Sequence, residues 1–62
     1  MNTYFGYGYE VPKKKKQYFV ERLNQGIKER MWTSEVQRIK KAEEDVFVLY
    51  TCNSRYIVRL LR

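Results

Sequence analysis

Residues 46–61 read VFVLYTCNSRYIVRLL, two runs of aliphatic and aromatic residues on either side of Asn53-Ser54. Such residues pack well on a pleated strand, and Asn tolerates the positive φ that a tight turn needs. The stretch therefore predicts an antiparallel β-hairpin. The predicted cross-strand pairs are Thr51 with Tyr56, Leu49 with Val58, and Phe47 with Leu60.

The two faces of this hairpin differ in composition. Side chains alternate between the faces of a strand, so the predicted pairs share one apolar face, which is expected to cover the core. The other face combines arginines and a tyrosine with aliphatic residues, whereas a face that only meets water is normally more polar. It is therefore the first candidate for a functional surface. Its members are Val46, Val48, Tyr50, Cys52, Arg55, Ile57, Arg59 and Leu61.

Apolar residues recur at every fourth position between residues 17 and 31. The recurring residues are Phe19, Leu23, Ile27 and Met31. With charged residues between them, this spacing is typical of the apolar stripe of an amphipathic helix. Gly26 is a weak point in the stripe, because glycine commonly ends helices. We nevertheless interpret the pattern as one continuous helix.

Residues 34–44, SEVQRIKKAEE, support two interpretations. Ser34 followed by Gln37 forms a capping box, which is typical of a helix start. The acidic residues 43–45 would oppose the helix dipole at the other end. We therefore favour a strand that turns at these acidic residues and extends the hairpin to a three-stranded meander.

Residues 3–11 alternate as a strand does. One face carries Phe5, Tyr7, Tyr9 and Val11, and the other carries Tyr4, Gly6, Gly8 and Glu10. Glycine on one face of a strand indicates that another element packs closely against it. Because a small domain needs its aromatic residues for the core, we expect the aromatic face to be buried rather than to stack on bases.

Together these elements predict an α+β fold. Its parts are an N-terminal strand, one amphipathic helix, and a C-terminal antiparallel hairpin or three-stranded meander. At 62 residues, the chain is expected to form a single small basic domain over residues 1–62 with a thin core. The expected core residues are Phe5, Tyr7, Phe19, Leu23, Ile27, Met31, Trp32, Phe47, Leu49, Tyr56, Val58 and Leu60.

The residue counts exclude several kinds of site. The chain has no histidine and one cysteine, Cys52, which excludes zinc sites, His-activated nucleophiles and internal disulfides. We therefore expect no catalytic residues, no metal and no cofactor. Neither a long apolar run nor a signal peptide is visible, so we expect a cytoplasmic protein without a membrane partner.

The charge favours polyanionic partners. Thirteen Lys and Arg against seven Asp and Glu give a net charge of +6, which attracts phosphates at long range. Our leading hypothesis is a non-catalytic nucleic-acid-binding module, with DNA or RNA left open, that contacts phosphates through basic residues and stacks a tyrosine on a base. The candidate residues are Lys13, Lys14, Lys15, Lys16, Arg22, Tyr50, Arg55 and Arg59. The lysines are expected at the start of the helix, whose free N–H groups also attract phosphate.

The alternative hypothesis is a small protein-binding inhibitor or adaptor, of the kind encoded by phages and other mobile elements, or a homodimer. Such a protein would dock a basic and aliphatic face on a larger host protein. Its interface residues would be Val46, Val48, Ile57 and Leu61. Exposure of these side chains favours a protein interface, whereas cover by the N-terminal strand favours nucleic acid.

Overall fold

The computed structural model describes residues 1–61, apart from the side chains of Leu23 and Asn24, and these residues form six strands in one mixed sheet. The strands are β1 (Asn2–Gly8), β2 (Phe19–Asn24), β3 (Ile27–Trp32), β4 (Arg38–Glu43), β5 (Val46–Tyr50) and β6 (Ser54–Leu60). Their order across the sheet is β3-β2-β1-β6-β5-β4. β1 and β6 run parallel, and every other neighbouring pair is antiparallel. None of the described residues is helical, so the α+β prediction is wrong and the fold is all-β.

The predicted helix is instead the β2–β3 hairpin. Its turn is formed by Gln25 and Gly26, whose φ angles are 53° and 78°. Two consecutive positive φ values characterise the type I′ turn, which matches the twist of hairpin strands. The apolar spacing did not distinguish the two structures, because residues four apart share a face both on a helix and on a strand. Gly26, a weak point in the predicted helix, is part of the turn that makes this segment a hairpin.

The C-terminal meander is confirmed, although its register is not. β4, β5 and β6 are consecutive antiparallel neighbours, and Leu49 pairs with Tyr56 rather than with Val58. The turn lies one position earlier than predicted. Its cause is Thr51, whose N–H donates to the Ser54 carbonyl (2.9 Å) while its hydroxyl accepts from the Ser54 N–H (3.2 Å). The register differs by two residues, an even number, so every side chain keeps its predicted face.

The sheet curls because residues 33–37 connect β3 to β4 across its open side. The Thr33 N–H donates to the Tyr18 carbonyl (2.8 Å), and the Val36 N–H donates to the Lys16 carbonyl (2.9 Å). At the other end of this connection the Gln37 N–H donates to the Tyr50 carbonyl, which ends β5 (2.7 Å). One backbone segment thus bonds to both halves of the molecule. Val36, in this segment, is fully buried.

A single apolar cluster fills the inside of the curled sheet. Its buried members are Tyr18, Val20, Val36, Phe47, Leu49, Tyr56, Val58 and Leu60. Tyr4, Met31 and Ile39 pack against it while keeping part of their surface exposed. The prediction for the C-terminal hairpin is therefore confirmed, since all five of its expected core residues are buried.

The predictions for the aromatic residues of the first half are wrong. Phe5 is 68% exposed, Tyr7 43% and Trp32 62%, and Ile27 is also exposed. Phe19 is half-buried on the side of the sheet away from the core, beside Trp32. The side chain of Leu23, which was also expected in the core, lies outside the described part of the chain.

Glycine explains why β1 turns its aromatic face outward. Gly6 and Gly8 share a face with Tyr4, which stacks on the buried Tyr56 at 5.3 Å. A Cβ atom on Gly6 would lie 2.5 Å from Cγ1 of Val20, and one on Gly8 would overlap the Tyr18 ring. The side chains of Val20, in β2, and of Tyr18, directly before β2, therefore occupy the space next to the glycines. The close approach that glycine predicted is confirmed, with β2 rather than a helix as the partner.

Replacing Gly6 with Ala is expected to reduce the free energy of unfolding by about 1–3 kcal/mol, because the new methyl group overpacks the β1–β2 contact. Part of that contact is the Glu21 backbone carbonyl, 2.9 Å from the added atom, which cannot rotate aside. Lys14→Ala is the control, because Lys14 is an exposed residue of the loop between β1 and β2, so we expect a change of at most about 0.5 kcal/mol. Urea unfolding measures both, and unchanged stability of G6A would contradict the packing argument.

Candidate functional site

The face of the sheet that points away from the core, called here the outer face, is organised in three cross-strand rows. Residues paired across neighbouring strands share a face of the sheet. The first row is Arg30, Glu21, Tyr7, Arg59 and Val46. The second row is Phe5, Ile57, Val48 and Lys40, and the third is Thr3, Arg55, Tyr50 and Arg38. Aromatic, basic and aliphatic side chains are thus interspersed over one continuous surface.

Most predicted site residues of the C-terminal hairpin meet on the outer face. Tyr50, Arg55 and Arg59 lie there together, as the alternation of the hairpin required. The aliphatic residues of the alternative hypothesis accompany them. Val46, Val48 and Ile57 are half-buried within the face, and Leu61 is 42% exposed just after β6.

Arg22 does not join this group. Its guanidinium carbon lies 5.2 Å from the centre of the Tyr4 ring, on the face that also carries the core. Its Nη2 lies 3.8 Å from Oε1 of Glu29, the residue opposite it on β3. Arg22 therefore packs over Tyr4 and is removed from the candidate phosphate contacts.

The lysine run lies in the loop between β1 and β2 rather than at the start of a helix, so the predicted contribution of helix N–H groups is wrong. The loop is held by its backbone: the Lys15 N–H donates to the Val36 carbonyl (2.7 Å), and Lys15 adopts a φ of 68°. Lys13, Lys14, Lys15 and Lys16 are all exposed. Four positive charges are therefore exposed on a loop whose backbone is hydrogen-bonded to Val36.

Glu21 organises the first row. Only 5% exposed, its carboxylate accepts hydrogen bonds from the Tyr9 hydroxyl (3.0 Å) and from Nε of Arg30 (2.9 Å). Nζ of Lys28 lies 3.7 Å away. The hydrogen bond from Arg30 holds the pKa of Glu21 below its ordinary value, and the hydrogen bond to Glu21 raises the pKa of Tyr9. The carboxylate is thereby compensated, while the side chains of Arg30 and Lys28 stay more than 60% exposed.

The third row is already internally bonded. The Arg38 guanidinium lies over the Tyr50 ring, 4.3 Å from its centre. Nη2 of Arg55 donates to the Thr3 hydroxyl (3.0 Å). The Tyr50 ring therefore has one face covered by a cation, which makes it a poorer stacking surface than the sequence suggested. It serves instead to place Arg38 on the outer face.

The exposed aromatic residues are the part of the site that the sequence analysis assigned to the core instead. Tyr9 is 56% exposed and continues the aromatic face of β1 beyond Tyr7. Trp32 contacts Phe19 with ring centres 5.1 Å apart. The available signal was the glycine pair of β1, because glycine marks the side on which a strand is closely packed, and the aromatic residues occupy the other side.

Two hollows open among these rings. The first, called here the aromatic hollow, has a volume of about 280 Å³. Its lining residues are Tyr9, Glu10, Gln17, Tyr18, Phe19 and Trp32. The second, called the central hollow, measures about 360 Å³. Its lining residues are Phe5, Gly6, Tyr7, Val46, Ile57 and Arg59.

Other kinds of site find no counterpart in the described part of the chain. Within residues 1–61, no three acidic, histidine or cysteine side chains are placed to share a metal ion. The same residues include no helix long and apolar enough to cross a membrane.

The comparisons with known proteins add no further constraint. The chain matches no family model, and comparison with curated proteins and with solved structures found no match. Function is therefore argued from the outer face itself. Guanidinium groups can bind phosphates in a bidentate manner, and exposed rings can stack on planar groups.

Replacing Glu21 with Gln is expected to destabilise the protein in a pH-dependent way. A lowered pKa means that the folded state binds the proton less readily than the unfolded chain. The stabilisation is therefore fully present above the ordinary pKa of 4.5 and is lost as the pH falls through the lowered value.

The difference in stability between the wild-type protein and E21Q should accordingly be largest above about pH 5 and shrink as the pH falls through the lowered pKa of Glu21. Chemical unfolding at a series of pH values measures it. Glu44→Gln, an exposed carboxylate in the turn after β4, is the control and should match the wild-type stability at pH 7. A pH-independent effect of E21Q would contradict the proposed network.

Proposed function

We propose that this protein is a non-catalytic nucleic-acid-binding module whose outer face lies against the sugar-phosphate backbone and bases. One observation supports this most directly: the exposed rings of Phe5 and Tyr7 share a single face of the sheet with several arginines and lysines. Proteins that bind single strands use the same combination of a positive groove and stacking rings. A cytoplasmic location is part of the proposal.

The charge distribution supports phosphate contact. The basic residues placed on the outer face by the strand register are Lys28, Arg30, Arg38, Lys40, Arg55 and Arg59. Within the described strands, the acidic residues on that face are Glu21, which its cationic neighbours compensate, and Glu43 at the corner beside Val46. A polyanion crossing the sheet therefore meets positive charge in every row.

The aromatic residues support base contact. A chain of 62 residues has few large apolar side chains to spare, because its stability depends on a thin core. It nevertheless leaves Phe5 and Trp32 more than 60% exposed. Stacking of a base on an exposed ring contributes about 1–3 kcal/mol, which gives these positions a use that core packing does not.

Lys40 and Lys41 provide a matched test of the interface. Both are exposed lysines on β4, but Lys40 pairs with Val48 on the outer face, whereas Lys41 pairs with the buried Phe47. Lys40→Gln is expected to weaken oligonucleotide binding and to reduce the slope of log affinity against log salt by up to about one. Lys41→Gln removes the same charge from the other face and should have a smaller effect. Fluorescence anisotropy at several salt concentrations measures both, and equal losses would exclude the outer face as the contact surface.

The lysine loop is tested separately by replacing Lys13, Lys14, Lys15 and Lys16 with Ala. We expect lower affinity and a shallower salt dependence. With fewer phosphate contacts, fewer counterions are released when the protein binds. The four side chains are exposed, so the fold should be retained. Unchanged binding would remove the loop from the interface.

A second candidate function is a protein interface, and it is the one favoured by the exposure criterion stated from the sequence. β1 lies beside β6 in the sheet rather than over it, so no other described element covers the half-buried Val46, Val48 and Ile57. Phe5, 68% exposed, extends this apolar strip. Aromatic residues and arginine are enriched at protein interfaces, so the strip also fits a second copy of the chain or an acidic host protein.

Light scattering tests self-association at this strip. If the strip is a dimer interface, the wild-type protein has twice its chain mass of 7.6 kDa, and Phe5→Glu restores the monomer by placing a charge against an apolar partner. Ile27→Glu, at an equally exposed position of β3, is the control. A monomeric wild-type protein at high concentration would rule out the homodimer.

A further inference from the structure

The aromatic hollow has the walls of a site for a flat ligand. Tyr9, Phe19 and Trp32 contribute rings to it, and the Phe19 and Trp32 rings are inclined at 55° with centres 5.1 Å apart. Trp32 remains 62% exposed and Tyr9 56% exposed. The hollow therefore offers large ring surfaces that are open to solvent on one side and supported by neighbouring rings on the other.

The rings are held in place by buried or bonded groups. The Tyr9 hydroxyl donates to Glu21, and the Tyr18 hydroxyl donates to the Glu10 carbonyl (2.5 Å). The Tyr18 N–H donates to the hydroxyl of Thr33 (3.0 Å), which fixes the chain directly after Trp32. Preorganised walls reduce the entropy lost when a ligand binds.

Polar groups at the rim can read the edge of a planar ligand. Gln17 and Glu10 line the hollow and are exposed. A glutamine side chain carries both an amide donor and an amide acceptor, and a carboxylate accepts hydrogen bonds. Amino and carbonyl groups on the edge of a nucleobase complement such a mixture of donors and acceptors.

Basic residues flank the lining residues of the hollow along the chain. The loop between β1 and β2 runs from residue 9 to residue 18, so the lysines at 13–16 belong to the same loop as Tyr9, Glu10 and Gln17. On the other side, Arg30 is next but one to Trp32 on the same face of β3 and keeps most of its side chain exposed. A base in the hollow would thus have positive charge available for the phosphates that precede and follow it.

We propose that the aromatic hollow binds an unpaired nucleobase and thereby gives this protein a preference for single-stranded nucleic acid. This inference rests on the proposed function and specifies its ligand. Bases within a duplex are stacked on their neighbours and cannot enter a hollow without being unpaired and flipped out. A single strand presents its bases freely, and stacking tolerates any base because each has a flat π-face.

Trp32 is the only tryptophan of the chain, so its fluorescence reports on this hollow alone. The experiment titrates the full-length protein with an unlabelled DNA single strand and with the duplex of the same sequence. Binding is followed in parallel by anisotropy of labelled copies. We expect the single strand to quench Trp32 emission and to bind more tightly, and the duplex to bind through its phosphates without quenching.

Two variants locate the effect. Trp32→Leu keeps an apolar contact for Phe19 but removes the flat ring, and it is expected to weaken single-strand binding roughly ten-fold while leaving duplex binding unchanged. Ile27→Ala is the matched control, because Ile27 lies on the same strand with a similar exposure, 67% against 62%, and is outside the hollow. Circular dichroism confirms that each variant is folded, and Gln17→Ala offers a second test that leaves ring packing intact.

The outcomes separate this inference from the proposed function. If single strand and duplex bind equally, with salt dependence and without a change in Trp32 emission, the protein binds nucleic acid but the hollow does not take a base. Equal loss in W32L and I27A would overturn the inference in the same way. If neither oligonucleotide binds even at low salt, the proposed function fails, and the inference fails with it.

Discussion

The close contact between β1 and the residues of β2 determines much of this molecule. Gly6 and Gly8 leave room for Val20 and Tyr18 directly against the backbone of β1. Once that side of β1 faces the core, strict alternation places Phe5 and Tyr7 on the opposite side. The exposure of Phe5 and Tyr7 is therefore a geometric consequence of two residues without side chains. Any substitution that reopens this contact changes the core and the outer face together.

The fold was predictable where only one structure satisfied the pattern. The C-terminal hairpin alternates β-branched and aromatic residues with a period of two, so its strands and faces were predicted correctly. Its register was not, because the hydrogen bond between the Thr51 hydroxyl and the Ser54 N–H moves the turn. The first half failed for a different reason: a spacing of four fits a helix and a strand equally. In that half, the turn pair Gln25-Gly26 and the β-branched Val20 indicate a hairpin, whereas the spacing does not discriminate.

The candidate site was predictable to the extent that it depends on alternation within one hairpin. Arg55 and Arg59 were correctly predicted to lie on the same face, since residues an even number of positions apart on one strand share a face. Arg22 was not, because a helical reading gives no indication of which sheet face it occupies. Trp32 and the aromatic face of β1 were interpreted as buried, because their true environment comes from contacts between segments distant in sequence. Glu21 was missed for the same reason, as its partners Tyr9 and Arg30 belong to two other segments.

The parallel pairing of β1 with β6 also bears on how the molecule folds. The β2–β3 hairpin and the β4–β6 meander consist of local contacts, whereas β1 and β6 join residues 52 positions apart, such as Thr3 and Arg55. Forming this seam requires closure of nearly the whole chain, which is slow compared with hairpin formation. The rows of the outer face cross the seam, with Tyr7 beside Arg59 and Phe5 beside Ile57. A ligand that spans these rows binds only the joined state, so it stabilises the fold by mass action as its concentration rises.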